Sequence, residues 1–374
     1  MPVDWEIGVK AKDVFRNSSV KHQGKDLTVL SATQDRGIVP RSEVDIDIKY
    51  DEGNIDSYKK VEKGDFVISL RSFQGGIELS NYEGVVSPAY TILKNKKPID
   101  IGYYKTYFKT TDFVNRLNSA VYGIRDGKQI GYEDFGDLII HYPPLEEQKK
   151  IAQILAACDR VIELKQKLVD ELKKLKKVCL AKMFPQEGET VPEIRFPSFT
   201  EHWEKRRLED VTIEFRSGVF IAASEIEKVG SYPVYGGNGL RGYTERFNHD
   251  GEFVLIGRQG ALCGNVNYST GKAYFTEHAV AVKANASADT RFLFYILGKM
   301  NLGQYSDQSA QPGLAVGKLM KLTNMFPSIK EQMIISSFFT HIDNLIAYHQ
   351  RELEEDQKKA LMQLLLTGIV RVNR

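Results

Sequence analysis

The sequence predicts an α+β protein with a pseudo-twofold internal repeat, in which two similar globular domains with antiparallel-type sheets are separated by two long helices that pair with each other. Three observations lead to this prediction. A motif recurs, as YPPLEEQ at residues 142–148 and as FPSIKEQ at 326–332. A long segment without Gly or Pro follows each copy. The sequence before each copy is rich in turns and short apolar runs, which are typical of strands rather than of a regular βαβ alternation.

The segment after the first motif is predicted to be a long helix, because its apolar residues recur in steps of three and four. Its 40 residues, 145–184, would span roughly 60 Å. The seam on this helix comprises Ile151, Ile154, Cys158, Val161, Lys165, Leu168, Leu172, Leu175 and Cys179. The second helix, at 329–366, has a less regular seam that comprises Ile335, Phe338, Ile342, Leu345, Ile346, Leu353, Leu361, Leu364 and Leu365. Gly368 is its predicted C-terminal stop.

The charges of the two helices are complementary. Residues 145–184 carry ten Lys or Arg against six Asp or Glu, whereas residues 329–366 carry four against six. Opposite charge beside apolar seams favours pairing of the two helices with each other. The alternative is that each helix docks on its own globular neighbour.

The globular segments also repeat. DWE at 4–6 corresponds to HWE at 202–204, and Arg71 in GDFVISLRSFQGG corresponds to Arg258 in GEFVLIGRQGA. We expect strands at FVISL, AYTIL, DLIIHY, EFVLIG and HAVAVK, and a helix at TRFLFYILGKM. The chain therefore divides into a first globule at 1–142, a helix at 143–184, a linker at 185–199, a second globule at 200–326, and a helix with a tail at 327–374.

The stretch GNGLRG at 237–242 fits the G-x-G-x-x-G pattern of a dinucleotide-binding loop. Such a loop must open a helix, because the pyrophosphate sits on the helix N-terminus. Here the next residues, YTERFNHDGEFVLIG, contain a turn and a strand-like run. The pattern therefore favours a structural loop over a cofactor site. A loop that presents Asn238, Arg241 and Tyr243 to a ligand is a further alternative.

No catalytic constellation is evident. The sequence contains no P-loop, no H-E-x-x-H and no G-x-S-x-G motif. YPPL at 142–145 has a helix directly after it, and proline in a first helical turn explains it. The three cysteines are far apart, which argues against disulfides and zinc. The net charge of +2 leaves the kind of partner open. Because no catalytic constellation and no apolar run long enough to span a bilayer are evident, we expect a cytoplasmic, non-enzymatic binding protein without a metal or cofactor of its own.

The order and spacing of the motifs in both halves resemble the specificity subunit of a type I restriction–modification enzyme. The resemblance rests on the glycine loop, GRQGALCGNV, TEHAVAV and FPSIKEQMIISSFFTHID in the second half. In the first half it rests on GDFVISLRSFQGGIELSNYEGVVSPAYTIL and PPLEEQKKIAQILAACD. It covers nearly the whole chain.

The resemblance implies two target-recognition domains, each reading one half of a split site in double-stranded DNA. It implies that the long helices pack antiparallel as a coiled-coil spacer that fixes the distance between the half-sites. The subunit would have no catalytic centre. It would recruit two methyltransferase subunits, which bind S-adenosylmethionine, and two restriction subunits, which use ATP and Mg. Because the two globules differ in sequence, we expect an asymmetric target.

Side chains that pair with base edges are mostly Arg, Lys, Asn and Gln. The DNA-binding candidates are Arg71, Gln74, Tyr90, Arg125, Lys128, Gln129, Asn238, Arg241, Tyr243, Arg258, Gln259, His278, Gln308 and Gln311. The candidates for helix pairing and partner docking are Glu147, Gln148, Ile151, Ile154, Asp159, Leu168, Leu172, Leu175, Glu331, Gln332, Ile335, Ile342, Asp343, Ile346 and Leu353. Two other hypotheses compete with DNA reading: a coiled-coil scaffold without DNA specificity, and an enzyme that uses the glycine loop for a nucleotide.

Overall fold

The structure, a computed structural model, describes residues 5–6, 8–21, 27–33, 36–44, 57–70, 72, 76–120, 130–260, 262–307, 313–354, 362, 364–368 and 370. The chain divides into two compact units. The first consists of Met1–Leu164 and Leu353–Arg374, and the second of Lys165–Glu352. Each unit therefore combines one globule with parts of both long helices.

The first unit is a mixed α/β assembly that leads into a long helix. Its strands are β1 (Phe15–Ser18), β2 (Leu30–Thr33), β3 (Gly37–Pro40), β4 (Lys59–Val61), β5 (Phe66–Ile68), β6 (Glu78–Leu79), β7 (Gly84–Val86) and β8 (Thr91–Asn95). Its helices are α1 (Ala11–Val14), α2 (Ile101–Tyr107), α3 (Thr111–Ala120), α4 (Tyr132–Gly136) and the start of α5 (Leu145–Lys182), with a 3-10 turn at Arg41–Glu43.

The second unit contains the end of α5 and a globule with the same kinds of element. Its strands are β9 (Glu204–Arg207), β10 (Thr212–Ser217), β11 (Tyr232–Gly236), β12 (Gly239–Thr244), β13 (Phe253–Gly257), β14 (Val266–Ser269), β15 (Tyr274–Phe275), β16 (Ala279–Ala284) and β17 (Thr323–Phe326). Its helices are α6 (Thr290–Lys299), α7 (Val316–Met320) and most of α8 (Ile329–Glu354), with 3-10 turns at Glu209–Val211, Ala223–Glu225 and Leu302–Tyr305.

The two units are built on main sheets with the same topology. The strand order is β1-β8-β5-β6 in the first and β10-β16-β13-β14 in the second, and every pair is antiparallel. In both sheets, the first strand in the sequence lies at one edge and pairs with the last, and the second strand in the sequence lies between the last and the third. The predicted internal repeat and the antiparallel-type sheets are confirmed. The core strands are uniformly buried, as at Phe66–Ile68 and Phe253–Gly257, because both faces are covered.

Four of the five strands expected from the sequence form, and so does the predicted helix, as α6. The exception is DLIIHY, which makes only isolated bridges between Lys10 and Ile139 and between Glu6 and Tyr142. Here a side chain competes with strand pairing, since the Arg116 guanidinium donates to the carbonyl of Ile139 at 2.8 Å. The strand prediction was therefore wrong for this segment.

A polar junction of the same design holds each long helix against its own globule. Gln148 Nε2 donates to the Pro143 carbonyl at 2.8 Å, and Gln148 Oε1 accepts the backbone N–H of Asp100 at 2.9 Å. Gln332 makes the same two bonds at 2.9 and 3.0 Å, to the equivalent proline carbonyl and to the N–H of Asp289. Both glutamines are fully buried, so these bonds prevent the cost of unpaired amides.

The neighbouring glutamates complete this junction differently in the two halves. Trp5 Nε1 donates to Glu147 at 3.1 Å. Glu331 instead accepts two hydrogen bonds from Arg195, each 2.8 Å long. The indole N–H of Trp203, which corresponds to that of Trp5, is buried without a hydrogen-bond partner in the part of the chain that the structure describes. In the second half, the linker residue Arg195 thus binds the glutamate that corresponds to the one bound by Trp5 in the first half.

Two ion pairs show how the long helices run in the second unit. Lys165 Nζ lies 2.9 Å from Glu352, and Lys176 Nζ lies 2.5 Å from Asp343. As the residue number rises on α5, the partner's number falls on α8, so the helices are antiparallel. This confirms the predicted orientation.

The buried positions of α5 in this unit do not follow the whole predicted seam. Cys179 is buried, but Leu168 and Leu175 are 43% and 47% exposed. Val169 is buried in place of Leu168, and the half-buried Lys176 takes the place of Leu175. At these two positions the seam prediction was one residue out of phase.

The C-terminal segment packs into the core of the first unit. Leu365 and Leu366 are buried there. His141 Nδ1 lies 2.8 Å from the carbonyl of Leu366, and its ring packs against those of Trp5 and Tyr107. Burial lowers the pKa of His141 below its usual range.

This histidine gives the attachment of the C-terminal segment a pH dependence. The folded pKa is below the unfolded value of about 6.5, so the unfolded chain binds the proton more tightly. The contribution is therefore fully present above that pH and is lost as the pH falls below it. We expect the melting temperature to fall between pH 7.5 and 5.5, and to fall less in His141→Gln. The control is His278→Gln; an unchanged pH slope in His141→Gln would contradict the assignment.

Candidate nucleic-acid interface

The glycine-rich stretch forms a β-hairpin. β11 and β12 pair from Tyr232 with Thr244 to Gly236 with Gly239, which leaves Gly237 and Asn238 as the turn. The next regular element after β12 is the strand β13, so this stretch lacks the helix that a dinucleotide fingerprint requires. The expectation of a structural loop agrees with this geometry.

The turn of the hairpin lies against the end of the main sheet. Ser217 ends β10 and pairs with Val280, while Gly257 ends β13 and pairs with Ala279, the first residue of β16, so these residues lie at the same end of the sheet. A Cβ on Gly257 would lie 2.2 Å from the carbonyl oxygen of Gly237, so only glycine permits this approach. We call this place, defined by Ser217, Gly237, Arg258 and His278, the glycine edge.

Three of the candidate base readers meet at the glycine edge. The backbone N–H of Arg258 donates to the carbonyl of His278 at 2.9 Å, and its guanidinium donates to Ser217 Oγ at 3.2 Å. A Cβ on Gly237, next to Asn238, would lie 3.0 Å from the same His278 carbonyl. The backbones of three separate segments, which carry Asn238, Arg258 and His278, thus come together at this end of the sheet.

The side chains at the glycine edge differ in how exposed they are to solvent. Asn238 and Gln259 are exposed, whereas Arg258 is half-buried. His278 Nε2 lies 3.1 Å from Glu277. These groups can donate to or accept from base edges. The edge was only partly foreseen, because Ser217 was not among the candidates.

Arg241 and Tyr243 lie further along β12. Arg241 is exposed, and its side chain covers Gly236, since a Cβ there would lie 2.6 Å from the Arg241 Cδ. Tyr243 is half-buried, and its backbone pairs with that of Glu227. The structure therefore brings Arg241 close to the glycine edge and leaves Tyr243 in a supporting strand.

The equivalent edge of the first unit is formed by Ser18, Ile68 and Thr91. Tyr90 lies there at the position of His278, and its carbonyl accepts a hydrogen bond of 2.6 Å from Lys59. Burial lowers the pKa of this lysine. The other candidates, Arg71, Gln74, Arg125, Lys128, Gln129, Gln308 and Gln311, lie outside the described residues.

The candidates for pairing and docking fall into three groups. The residues buried against a neighbouring globule are Glu147, Gln148, Ile151, Glu331, Gln332 and Ile335, with Ile154 partly buried among them. The residues on the paired faces or partly buried along the helices are Asp159, Leu172, Ile342, Asp343 and Ile346. Leu168 and Leu175 are exposed, and only the backbone of Leu353 is described.

The four junction residues among these candidates therefore have a role other than helix pairing. Glu147, Gln148 and Gln332 connect each helix to its own globule, which agrees with the alternative interpretation of the helices. Glu331 instead connects its helix to the linker through Arg195. Trp5 was missed as the partner of Glu147, although the repeated DWE and HWE motifs were a signal for it.

Across the described ranges, no group of three or more His, Cys, Asp or Glu residues is arranged to hold a metal ion. No helix within these ranges has the length and apolar character needed to cross a membrane.

Comparison with known proteins gives a consistent result. The family model for the type I restriction modification DNA specificity domain matches residues 2–174 and 200–355. The EcoprrI specificity subunit of Escherichia coli is 46% identical over 145 residues, which cover 38% of this chain and 36% of that protein. The MjaVIII specificity subunit of Methanocaldococcus jannaschii is 26% identical over 346 residues, which cover 83% of this chain and 80% of that protein.

Solved structures show the same fold. The HsdS subunit from Thermoanaerobacter tengcongensis superimposes with a TM-score of 0.53 at 15% identity, covering 99% of this chain and 96% of that one. The S subunit from M. genitalium superimposes with a TM-score of 0.60 at 16% identity, covering 99% and 97%.

Proposed function

Since this chain belongs to the family of type I restriction–modification DNA specificity proteins, we propose that each of its two globules reads one half of a split site in double-stranded DNA. The observation that carries the proposal is the glycine edge. There, the backbones of three segments that carry Asn238, Arg258 and His278 meet at the end of the sheet. Polar side chains on a rigid scaffold are what direct base readout requires.

The two half-sites are expected to differ. The main sheets of the two units share a topology, but the residues at the corresponding edges do not match. His278 stands where the first unit has Tyr90, and Gly257 stands where it has Ile68. Side chains with different hydrogen-bonding groups select different bases, so the target is asymmetric.

Catalysis belongs to other subunits in this proposal. Methyltransferase subunits would bring S-adenosylmethionine, and restriction subunits would bring ATP and Mg. This chain would supply the sequence reading, with its helices setting the spacing of the half-sites. The assembly would contain two copies of each partner and act on DNA in the cytoplasm.

The long helices offer a surface on which a methyltransferase subunit would dock. In the second unit, α5 exposes Leu168, Leu175 and Val178, which recur in steps of seven and three. α8 likewise exposes Leu345 and Tyr348. We call these five residues the apolar stripe. Apolar side chains at this spacing form one face of a helix, and such a face is normally covered by another helix.

Exchange of one globule tests the proposal. Residues 200–326 would be replaced by the corresponding segment of a relative with a different target, and the hybrid would be expressed with its methyltransferase partner. Sequencing of methylated bases in the host genome should show that one half-site changes and the other is retained. The control is the unmodified chain in the same host.

Two outcomes would contradict DNA reading. One is a stable, active complex whose methylation pattern does not depend on residues 200–326. The other is normal assembly with no sequence preference, which would instead support the scaffold hypothesis.

A further inference from the structure

A short loop beside the glycine edge exposes two large apolar side chains. The loop follows Ser217, the residue that accepts a hydrogen bond from Arg258. Val219 is 56% exposed and Phe220 is 68% exposed. Two large apolar side chains that are adjacent and exposed to this extent form a small apolar surface, which would be favourable to bury against a partner.

The loop is held in place along its whole length. The N–H of Gly218 donates to the Ala279 carbonyl at 3.0 Å, and that of Val219 donates to the Phe275 carbonyl at 2.9 Å. The hydroxyl of Tyr274 donates to the Phe220 carbonyl at 3.1 Å. These bonds fix the backbone on both sides of the exposed residues.

The packing of Ile221 and the close backbone approach at Gly218 also hold the loop in place. Ile221 is buried in a small cluster with Val234 and Tyr274. A Cβ on Gly218 would lie 2.2 Å from the carbonyl oxygen of Phe275, so the close approach of the loop to β15 requires glycine. A side chain that is exposed on a fixed backbone binds a partner with little loss of entropy.

The neighbours of the loop identify the kind of partner. Ser217, whose hydroxyl accepts from Arg258, directly precedes the loop, and the N–H of Gly218 donates to Ala279, the residue after His278. The loop therefore lies beside the candidate base readers of the glycine edge. In the major groove, the apolar group among the base edges is the C5 methyl of thymine, which aromatic and small apolar side chains contact. An apolar residue beside polar base readers therefore fits a thymine-containing half-site.

We infer that Phe220 is a specificity-determining residue that contacts the methyl group of a thymine in the half-site read by the second globule. This rests on the proposed function. Phe220 would recognise a base by apolar contact, whereas the other candidates at the glycine edge would do so by hydrogen bonding.

The test combines a protein change with a base change. The full chain, assembled with its methyltransferase partner, would be titrated with target duplexes in which each thymine of this half-site is replaced in turn by deoxyuridine. Loss of one methyl contact is expected to weaken binding about three- to fivefold at one position. Phe220→Ala should weaken binding to the thymine duplex and lose this sensitivity to deoxyuridine.

Controls separate a local effect from a general one. Val229→Ala alters another highly exposed apolar residue of the same unit and should leave both affinities unchanged. Phe220→Leu, which keeps an apolar side chain, should retain part of the sensitivity. Melting temperatures of all variants would establish that they fold.

The outcomes distinguish this inference from the proposed function. If the wild-type complex binds its site but Phe220→Ala remains as sensitive to deoxyuridine as wild type, the inference is overturned and the proposed function stands. If 2-aminopurine in the half-site shows that wild type unstacks a base step and Phe220→Ala does not, the side chain is a wedge and the methyl contact is wrong. If no duplex is bound with sequence preference, both fail.

Discussion

Glu331→Ala is expected to lower the free energy of unfolding of the second unit by about 3 kcal/mol. The glutamate is 1% exposed and accepts both hydrogen bonds of the Arg195 fork at 2.8 Å. These bonds raise the pKa of Arg195. Removal of the carboxylate leaves a guanidinium that is only 11% exposed at its side chain, with the carbonyl of Glu201 as its other acceptor.

Urea denaturation followed by far-UV circular dichroism measures this effect. The matched control is Glu193→Ala, which removes an ion pair with Lys182 in the same linker region whose partners are 63% and 43% exposed. Exposed pairs contribute about 1 kcal/mol or less. Equal losses in the two variants would contradict the view that the buried pair anchors the linker to α8.

Leu168→Glu combined with Leu175→Glu is expected to weaken binding of the methyltransferase subunit about 100-fold or more, because two charges would be buried in an apolar contact. Both leucines belong to the apolar stripe and are exposed in the chain by itself. The folded chain should therefore keep its melting temperature. Co-purification and titration calorimetry with the partner subunit measure the loss.

Val169 provides the contrasting variant. It is buried beside Leu168, so Val169→Ala should lower the melting temperature while the affinity of the folded chain for the partner changes little. Undiminished partner binding by the doubly charged variant would show that the apolar stripe is not the docking surface.

The repeat and the central strands could be predicted from the sequence because their signals are local. GDFVISL and GEFVLIG are short apolar runs bounded by turns, and both form buried strands. DLIIHY has the same kind of local signal, yet the Arg116 side chain takes a carbonyl that a strand partner would use. A prediction based on neighbouring residues cannot account for a hydrogen bond from a side chain on another helix, here α3.

The phase of the seam on α5 shows a second limit. The apolar pattern predicts that Leu175 faces α8, but Lys176 occupies that position in the structure. Its ammonium pairs with Asp343 and lies 5.5 Å from the centre of the Tyr295 ring, while its methylene groups can pack as an apolar residue would. The exposed side of α5 carries Leu168 and Leu175, so the number of apolar residues on a face does not by itself show which face packs against α8.

The candidate site could be predicted from the sequence only in part. Arg258 and His278 were both singled out, and antiparallel pairing of β13 with β16 brings them together. The approach of Gly237 depends on how a separate hairpin packs on the sheet, and the exposure of Phe220 depends on bonds to β15. Neither is encoded in the spacing of nearby residues.

The polar junction behind Gln148 and Gln332 has a consequence for how such proteins diversify. On the globule's side, the polar contact to the glutamine is one backbone N–H at the start of a short helix, at Asp100 or Asp289. Apolar side chains of the long helices, such as Ile151 and Ile335, pack beside it. An incoming globule that keeps the aspartate cap and this apolar packing would fit the same helix, whatever its loops contain. If each globule reads a half-site as proposed, recombination at this junction would transfer an entire half-site preference in one genetic event, whereas point mutation would have to rebuild it contact by contact.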